Sequence, residues 1–225
     1  MRNNFDRAIR NITRFGDTDI FPLPFENRLF FDKKSETITL LESLHANFDD
    51  WMARFPPSNE GSLTPVNYTG FRWATQLDPL WNIYFLALVL SIGSEIESKR
   101  ISLTDDSVFS YRLNLDGASD ELFLEEYNWS AFISSSMRRA ERHRFVVVCD
   151  ISEFYPRLGH HRIENALAHL DIRSNIPSRI MKFLSNFSGT NSFGIPVGGP
   201  AARIISEITI DQIDQILRLE GIEFC

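Results

Sequence analysis

Cysteine is scarce in this sequence, with two residues, Cys149 and Cys225, among 225. So few thiols exclude a disulfide framework and a metal cluster built from several cysteines, and they fit a reducing cytoplasm. Long hydrophobic runs are also lacking. The most apolar stretch, residues 80–92, falls short of the ~20 residues that cross a bilayer, and the first residues have no apolar signal-peptide core. We therefore expect a cytoplasmic globular protein with no membrane contact.

Positive charge is in deficit as well, because the formal net charge is −7. Phosphate contacts supply most of the affinity of nucleic-acid-binding proteins, so a uniformly basic binding surface is excluded. One local basic cluster closes a helix predicted over residues 129–142. Its members are Arg138, Arg139, Arg142, His143 and Arg144. These arginines can bind a nucleic-acid backbone, or they can simply favour the helix dipole at a carboxyl terminus, and the sequence favours neither.

The sequence does contain a short apolar run that ends in an acidic residue. Residues 145–149, with three consecutive valines, predict a strand buried on both faces, and Asp150 follows at its carboxyl end. A carboxylate in that position is costly unless it is solvated, paired or bound to a metal ion, so such positions are often functional sites. The alternative is an aspartate that merely ends a strand.

Two motifs resemble those of reverse transcriptases. Residues 150–158, Asp-Ile-Ser-Glu-Phe-Tyr-Pro-Arg-Leu, resemble motif A, and residues 194–200, Gly-Ile-Pro-Val-Gly-Gly-Pro, resemble motif B. The likeness is greatest to the bacterial abortive-infection and other phage-defence reverse transcriptases. It implies an RNA-directed DNA polymerase of the bacterial cytoplasm that uses dNTPs, an RNA template and a DNA primer or product.

The resemblance also implies roles for residues of motif A. Asp150 and the backbone carbonyl of Ile151 would bind Mg²⁺, or Mn²⁺ in its place, for two-metal nucleotidyl transfer. Tyr155 would lie under the nucleotide sugar as a steric gate against ribonucleotides, with Phe154 beside it in the nucleotide site.

Motif B and the fingers would complete the nucleotide site. The motif B loop would contact the nucleotide through Pro196, Val197, Gly198 and Gly199. Most members of the family carry glutamine at the position of Val197, so contact through the backbone is expected here rather than through a side-chain amide. Arg112, on a strand predicted over residues 108–113, would bind the triphosphate through its fork of donors. An exposed arginine at a strand end is an equally good interpretation.

The implied fold is of the α+β class: the helix-rich palm and fingers of a right-hand polymerase. Residues 1–70 would wrap around the rest, residues 71–144 would form a fingers-like region, and residues 145–225 would form an incomplete palm. Motif C, an aromatic-x-Asp-Asp turn that supplies the other metal-binding carboxylates, does not follow motif B. We therefore expect this chain to be the front part of a longer polymerase, inactive alone.

Apolar periodicity predicts the helices. They are expected over residues 38–54, 78–100, 129–142 and 160–170, and from residues 177 and 201 onward. Asp78 marks a helix start as the N-cap, with Pro79 at the first helical position. Residues 55–65 are expected to form a loop, and His160 and His161 to be cap and surface residues. The last helix has a polar stripe and a broad apolar arc that suits packing under a sheet. The stripe consists of Glu207, Asp211, Asp214 and Arg218.

Three functions stay open at this point. The first is a reverse transcriptase of bacterial anti-phage defence. The second is a relative that extends DNA without a template or from a protein primer. The third is a catalytically inactive, polymerase-like scaffold that binds nucleic acid or a partner subunit. A homo-oligomer is compatible with all three.

Overall fold

The computed structural model describes residues 1–16, 21–65 and 68–225. The fold is mixed α+β and rich in helices, with one two-stranded antiparallel sheet in these residues. The helices are α1 (Arg2–Phe15), α2 (Phe25–Asp32), α3 (Lys34–Ala46), α4 (Phe48–Arg54), α5 (Pro79–Leu90), α6 (Gly93–Lys99), α7 (Trp129–Ala140), α8 (Phe154–Arg157), α9 (His160–Ala168), α10 (Ile176–Ser188) and α11 (Pro200–Leu219). The strands are β1 (Asn59–Pro65) and β2 (Phe71–Leu77).

Helix α5 is the central helix of the core and is buried on nearly all sides. Its predicted start is confirmed. The Asp78 carboxylate accepts hydrogen bonds from the backbone N–H groups of Leu80 and Trp81, at 3.0 and 3.1 Å, and Pro79 takes the first helical position. A helix that is apolar all round suits a position between other helices, and α1, α10 and α11 pack against it.

The helix predicted over residues 78–100 is divided in two, because α5 ends at Leu90 and α6 begins at Gly93. A Cβ atom at Gly93 would lie 2.5 Å from Leu113 Cδ2, so glycine is what lets Leu113 pack against this bend. No single helix in the described ranges is long and apolar enough to cross a membrane, although α5 and the segment Gly93–Asp105 meet that test as a pair bent by 52°.

Residues 59–77 contain a β-hairpin, which corrects the prediction of a loop over residues 55–65. β1 and β2 pair in antiparallel register, with Leu63 opposite Trp73. The loop prediction failed because proline, glycine and polar residues in β1 mask the strand pattern, and pairing with β2 overrides them. The boundary predicted near residue 70 falls between these two paired strands.

Helices α9, α10 and α11 pack together beside α5. Apolar periodicity correctly predicted the buried faces of α9 and α10. These faces include Ile163, Leu167, Ile180, Phe183 and Leu184. Helix α11 differs along its length, because its first half is buried whereas three apolar residues of its second half are exposed. They are Ile213, Ile216 and Leu219.

The buried strand predicted over residues 145–149 is absent, and this is the largest error of the sequence-based prediction. These residues have no partner strand within the described residues, and the side chains of Phe145 and Val148 are 80% and 90% exposed. The strand predicted over residues 108–113 is also absent, apart from one isolated bridge between Leu113 and Phe123. A strand forms only where another strand accepts its hydrogen bonds, and the residues of the strand itself do not reveal that partner.

Candidate active site at the junction of two motifs

The residues that resemble motifs A and B lie side by side. The backbone N–H of Ile195 donates to the carbonyl oxygen of Tyr155 at 3.1 Å, and that of Gly194 donates to the carbonyl oxygen of Leu158 at 2.9 Å. Two segments far apart in the sequence are therefore joined by backbone hydrogen bonds, with Tyr155 at the point of contact.

A buried histidine fixes the motif B loop. The backbone N–H of His160 donates to the Ser192 carbonyl at 2.9 Å, and its Nε2 lies 2.8 Å from the carbonyl oxygen of Gly194. The Ser188 hydroxyl donates to the same oxygen at 3.0 Å. His160 is 8% exposed, so the prediction that it is a surface residue is wrong, whereas His161 is exposed as predicted. Adjacent histidines gave no sign of this difference, because it depends on the loop that packs over one of them.

Glycine is required at two positions of the loop. Gly194 has φ 94°, and a Cβ atom there would lie 3.3 Å from the Pro156 carbonyl oxygen. Gly198 has φ 114°, a conformation that residues with a Cβ rarely adopt. Gly199 then takes the N-cap position of α11.

The same loop contacts the β-hairpin. The carbonyl oxygen of Val197 accepts a hydrogen bond from the backbone N–H of Thr75 at 3.3 Å, while Pro196 is buried. Trp73, two residues earlier on the same strand, is 55% exposed, and Phe71 is 65% exposed. Two large aromatic side chains thus stand in solvent on the strand that holds the motif B loop.

Tyr155 is half-buried, and its hydroxyl lies within hydrogen-bonding reach of Ser206 on α11. Burial is the main cause that raises the pKa of Tyr155 well above its usual range. The ring of Phe154 lies 5.4 Å from that of Tyr155, and Phe154 packs against the core. Tyr155 is therefore a neutral side chain in a fixed position.

Tyr111 and Arg203 lie close to Tyr155. The guanidinium of Arg203 lies 5.1 Å from the centre of the Tyr111 ring, and the Phe123 ring lies 5.2 Å from Tyr111. Tyr111 has φ 44°, a strained conformation for a bulky residue that must be held by its surroundings. These contacts could not be predicted from the sequence, because Arg203 lies far along the chain from Tyr111 and Phe123.

A buried network of charges ties the segment after α6 to α11. The Arg100 guanidinium donates to the Glu207 carboxylate at 2.7 Å, and the Ser110 hydroxyl donates to the same oxygen at 2.7 Å. Beside this pair, Arg112 donates to Glu97 at 2.9 Å. Both arginines are less than a tenth exposed, so the network is isolated from water.

Arg112 therefore does not occupy the position that the sequence suggested. It is 1% exposed, and its guanidinium donates to Glu97 and to the carbonyl oxygen of Ile101. An incoming triphosphate cannot reach a guanidinium enclosed in this way. The alternative of an exposed arginine is also wrong, because two acceptors at a distance in sequence draw the side chain inward.

Helix α11 buries Glu207 and Asp211 of its polar stripe, whereas Arg218 is exposed. The prediction that its apolar arc packs under a sheet is wrong for the described residues, because helices α5 and α9 pack against it. Burial raises the pKa of Glu207 to about 7 even though Arg100 lies beside it. Burial also raises the pKa of Asp214 to about 6, and the pKa of Asp211 shifts in the same direction for the same reason. Carboxyl groups with a raised pKa are thus concentrated on α11, and the first of them, Glu207, directly follows Ser206.

No protein-family model matches this sequence, and no curated protein sequence matches it. The two motifs and their contact are therefore the observations on which a functional assignment rests.

The basic cluster holds the end of the chain in place. Arg138 donates to Asp106 at 2.8 Å, and Arg139 donates to the carbonyl oxygens of Phe224 and Asp106 at 2.8 and 2.6 Å. Both Arg142 and His143 pair with one carboxylate, that of Glu223. The guanidinium of Arg144 lies 5.4 Å from the Phe145 ring. Three of the four arginines proposed to bind nucleic acid thus have protein partners, and the sequence could not reveal those partners.

Asp150 is exposed at the end of the extended run, and so is the neighbouring Ile151. The next acidic residue, Glu153, accepts a hydrogen bond from Arg157 at 2.6 Å. Among the described residues, no group of three histidine, cysteine, aspartate or glutamate side chains is arranged to hold a metal ion. An exposed carboxylate with an adjacent backbone carbonyl is suitable as part of a Mg²⁺ site, and further oxygen ligands are needed to complete it.

Proposed function

We propose that this chain contains part of the palm and fingers of a reverse transcriptase, an RNA-directed DNA polymerase that acts in bacterial anti-phage defence. The observation that carries the proposal is the contact between the two motifs, in which the motif B loop is hydrogen-bonded to the backbone of Tyr155. A chance match of two short segments would not require them to meet in the fold. Nucleic acid and dNTPs are the implied partners.

In this proposal, Asp150 and the backbone carbonyl of Ile151 hold Mg²⁺, or Mn²⁺, and other carboxylates complete the site. The bound metal ions would activate the primer hydroxyl and neutralise charge on the triphosphate. The residues of this chain position the nucleotide. Tyr155 lies under its sugar, and the left-handed backbone at Gly198 lets the loop approach without a side chain in the way.

Replacing Tyr155 with alanine is expected to raise ribonucleotide incorporation relative to deoxyribonucleotide incorporation by about tenfold or more, because the ring that excludes the 2′-hydroxyl is gone. The ratio of kcat/KM for a matched rNTP and dNTP measures this. Tyr155→Phe keeps the ring and is the matched control. An unchanged ratio in Tyr155→Ala would remove Tyr155 from sugar selection.

A primer-extension assay tests the proposed activity. It uses the longest form of the protein that its gene encodes, Mg²⁺, four dNTPs, and parallel reactions with an RNA template, a DNA template and no template. We expect synthesis that requires the RNA template. Synthesis without template would instead establish the untemplated or protein-primed alternative.

A non-catalytic scaffold is the second candidate function. One observation favours it: among the described residues, Asp150 belongs to no group of three side chains that could hold a metal ion. The absence of synthesis in every reaction, together with binding of labelled RNA or DNA by the same protein, would support this candidate against the polymerase.

A further inference from the structure

A polar cleft lies between the start of α1 and residues of the range 90–117. Its volume is about 370 Å³, within the range of small-molecule sites. It shares no residue with the candidate active site. The residues around it are Asn3, Asn4, Asp6, Arg7, Arg10, Leu90, Ser94, Leu113, Leu115 and Gly117.

Arg7 is the unusual residue of this cleft. It is 6% exposed, and its Nη2 donates to the carbonyl oxygens of Asn114 and Glu121 at 2.6 and 3.4 Å. Its Nε is buried and lacks a hydrogen-bond partner in the part of the chain that the structure describes. A positive charge satisfied only by neutral oxygens is uncommon at such burial, since buried charges are usually paired. Burial is the main cause that lowers the pKa of Arg7, and the nearby carboxylate of Asp116 acts in the opposite direction.

The other charges around the cleft form ion pairs. Arg10 pairs with Asp6 at 2.9 Å and also with Asp120, Lys34 pairs with Asp6 at 2.8 Å, and Arg14 pairs with Asp120 at 3.4 Å. Arg7, in contrast, has no ion-pair partner within the described residues. The positive end of the α1 dipole adds to its charge.

The remaining lining residues limit what an anionic ligand can be. Asn3 and Asn4 offer carboxamides that can donate and accept hydrogen bonds, and the hydroxyl of Ser94 stands at the exposed rim. Leu90, Leu113 and Leu115 provide an apolar side. A ligand with one anionic end, several polar edges and a flat apolar face matches this set of groups.

We propose that the cleft binds a phosphate monoester of mononucleotide size, with the phosphate toward Arg7 and the base against the three leucines. This site is distinct from the nucleotide site near Tyr155, and it does not depend on the polymerase activity.

Calorimetric titration of the full chain with dAMP, deoxyadenosine, ribose 5-phosphate and inorganic phosphate tests the proposal. We expect dAMP to bind most tightly and deoxyadenosine not to bind. Ser94→Asp should weaken dAMP binding by about fivefold or more, because it brings a like charge to the rim, whereas Ser94→Asn should keep the affinity within about twofold. The side chain of Ser94 is exposed, so neither change threatens the fold.

Three results would overturn this inference. They are the absence of dAMP binding up to about 10 mM, equal affinity of Ser94→Asp and Ser94→Asn, and binding of phosphate alone as tightly as dAMP. Arg7→Met gives a second test if circular dichroism shows that it folds, since it should abolish binding. None of these measurements requires polymerase activity. The binding site can therefore be disproved while the proposed function holds, and the proposed function can be disproved while the binding site holds.

Discussion

Replacing Asp150 with alanine is expected to abolish primer extension, by at least about 10³-fold, in the longest form of the protein. The metal ion that this carboxylate would hold stabilises several kcal/mol of transition-state charge, and each 1.36 kcal/mol corresponds to a factor of about ten in rate. Asp150 is exposed and has no hydrogen-bond or ion-pair partner among the described residues, so the melting temperature should not change. Single-turnover extension and a thermal melt of the same sample measure the two quantities.

Glu153 supplies the matched control for this experiment. It lies three residues away, is also exposed, and pairs only with Arg157 among the described residues. Glu153→Gln should therefore retain activity within about twofold. Normal activity in Asp150→Ala would remove that residue from the mechanism, and equal losses in both variants would indicate a general effect of charge near the site.

Replacing Arg100 with methionine is expected to destabilise the protein by about 3–5 kcal/mol, because it leaves the buried carboxylate of Glu207 without its cation. Arg100 is 7% exposed and also donates to the carbonyl oxygens of Ser110 and Tyr111, at 2.7 and 3.0 Å. Chemical denaturation at pH 8 measures the loss. The matched control is Arg28→Met, since Arg28 pairs with Asp32 on the surface and should contribute less than about 1 kcal/mol.

The raised pKa of Glu207 predicts how the free energy of unfolding changes with pH. The pKa of Glu207 is raised to about 7 in the folded protein from its ordinary 4.5, so between these values the folded state holds a proton that the unfolded chain has released. The contribution of Glu207 to stability therefore falls as pH rises through this window. In Arg100→Met the pKa of Glu207 should rise further. The stability lost relative to the unmodified protein at pH 8 should therefore become smaller as the pH is lowered toward 5.

A double variant distinguishes a charge effect from lost packing. Arg100→Met combined with Glu207→Leu removes both charges, and it should recover most of the stability lost in the single variant. If the double variant is as unstable as the single one, the unpaired carboxylate of Glu207 is not the cause, and the loss comes from the other contacts of Arg100, which are the two carbonyl oxygens and Glu97 at 3.3 Å.

The helices could be predicted from the sequence because their signals are local. Asp78 and Pro79 mark the start of α5 through hydrogen bonds that span three residues, and the buried positions of α9 and α10 repeat within each helix. The break near Gly93 was missed, and the residue that packs against it, Leu113, lies twenty positions further along the chain.

The strands and the charge partners could not be predicted because they depend on contacts between distant residues. β1 forms a strand because it pairs with β2, and residues 145–149 have no such partner strand among the described residues. Arg112 and Arg139 look alike in the sequence, yet one is enclosed by Glu97 while the other holds the Phe224 carbonyl. A charged side chain indicates that a partner is needed and does not identify the partner.

The sequence identified two motifs and their order, and the structure adds their contact. Tyr155 and the loop before α11 lie together, joined through Ile195. The contacts of His160 with the motif B loop and of Tyr111 with Arg203 were missed. Each joins residues that are far apart in the sequence.

The exposed run of residues 145–149 has a consequence for solubility. An extended, unpaired backbone with large apolar side chains is a template on which the same run of another molecule can pair and aggregate. Charged residues flank it, Arg144 before and Asp150 after, and in a parallel stack of such runs each would lie beside its own copy. This repulsion is what gatekeeper residues supply. We therefore expect the carboxylate proposed to hold a metal ion to oppose fibre formation as well.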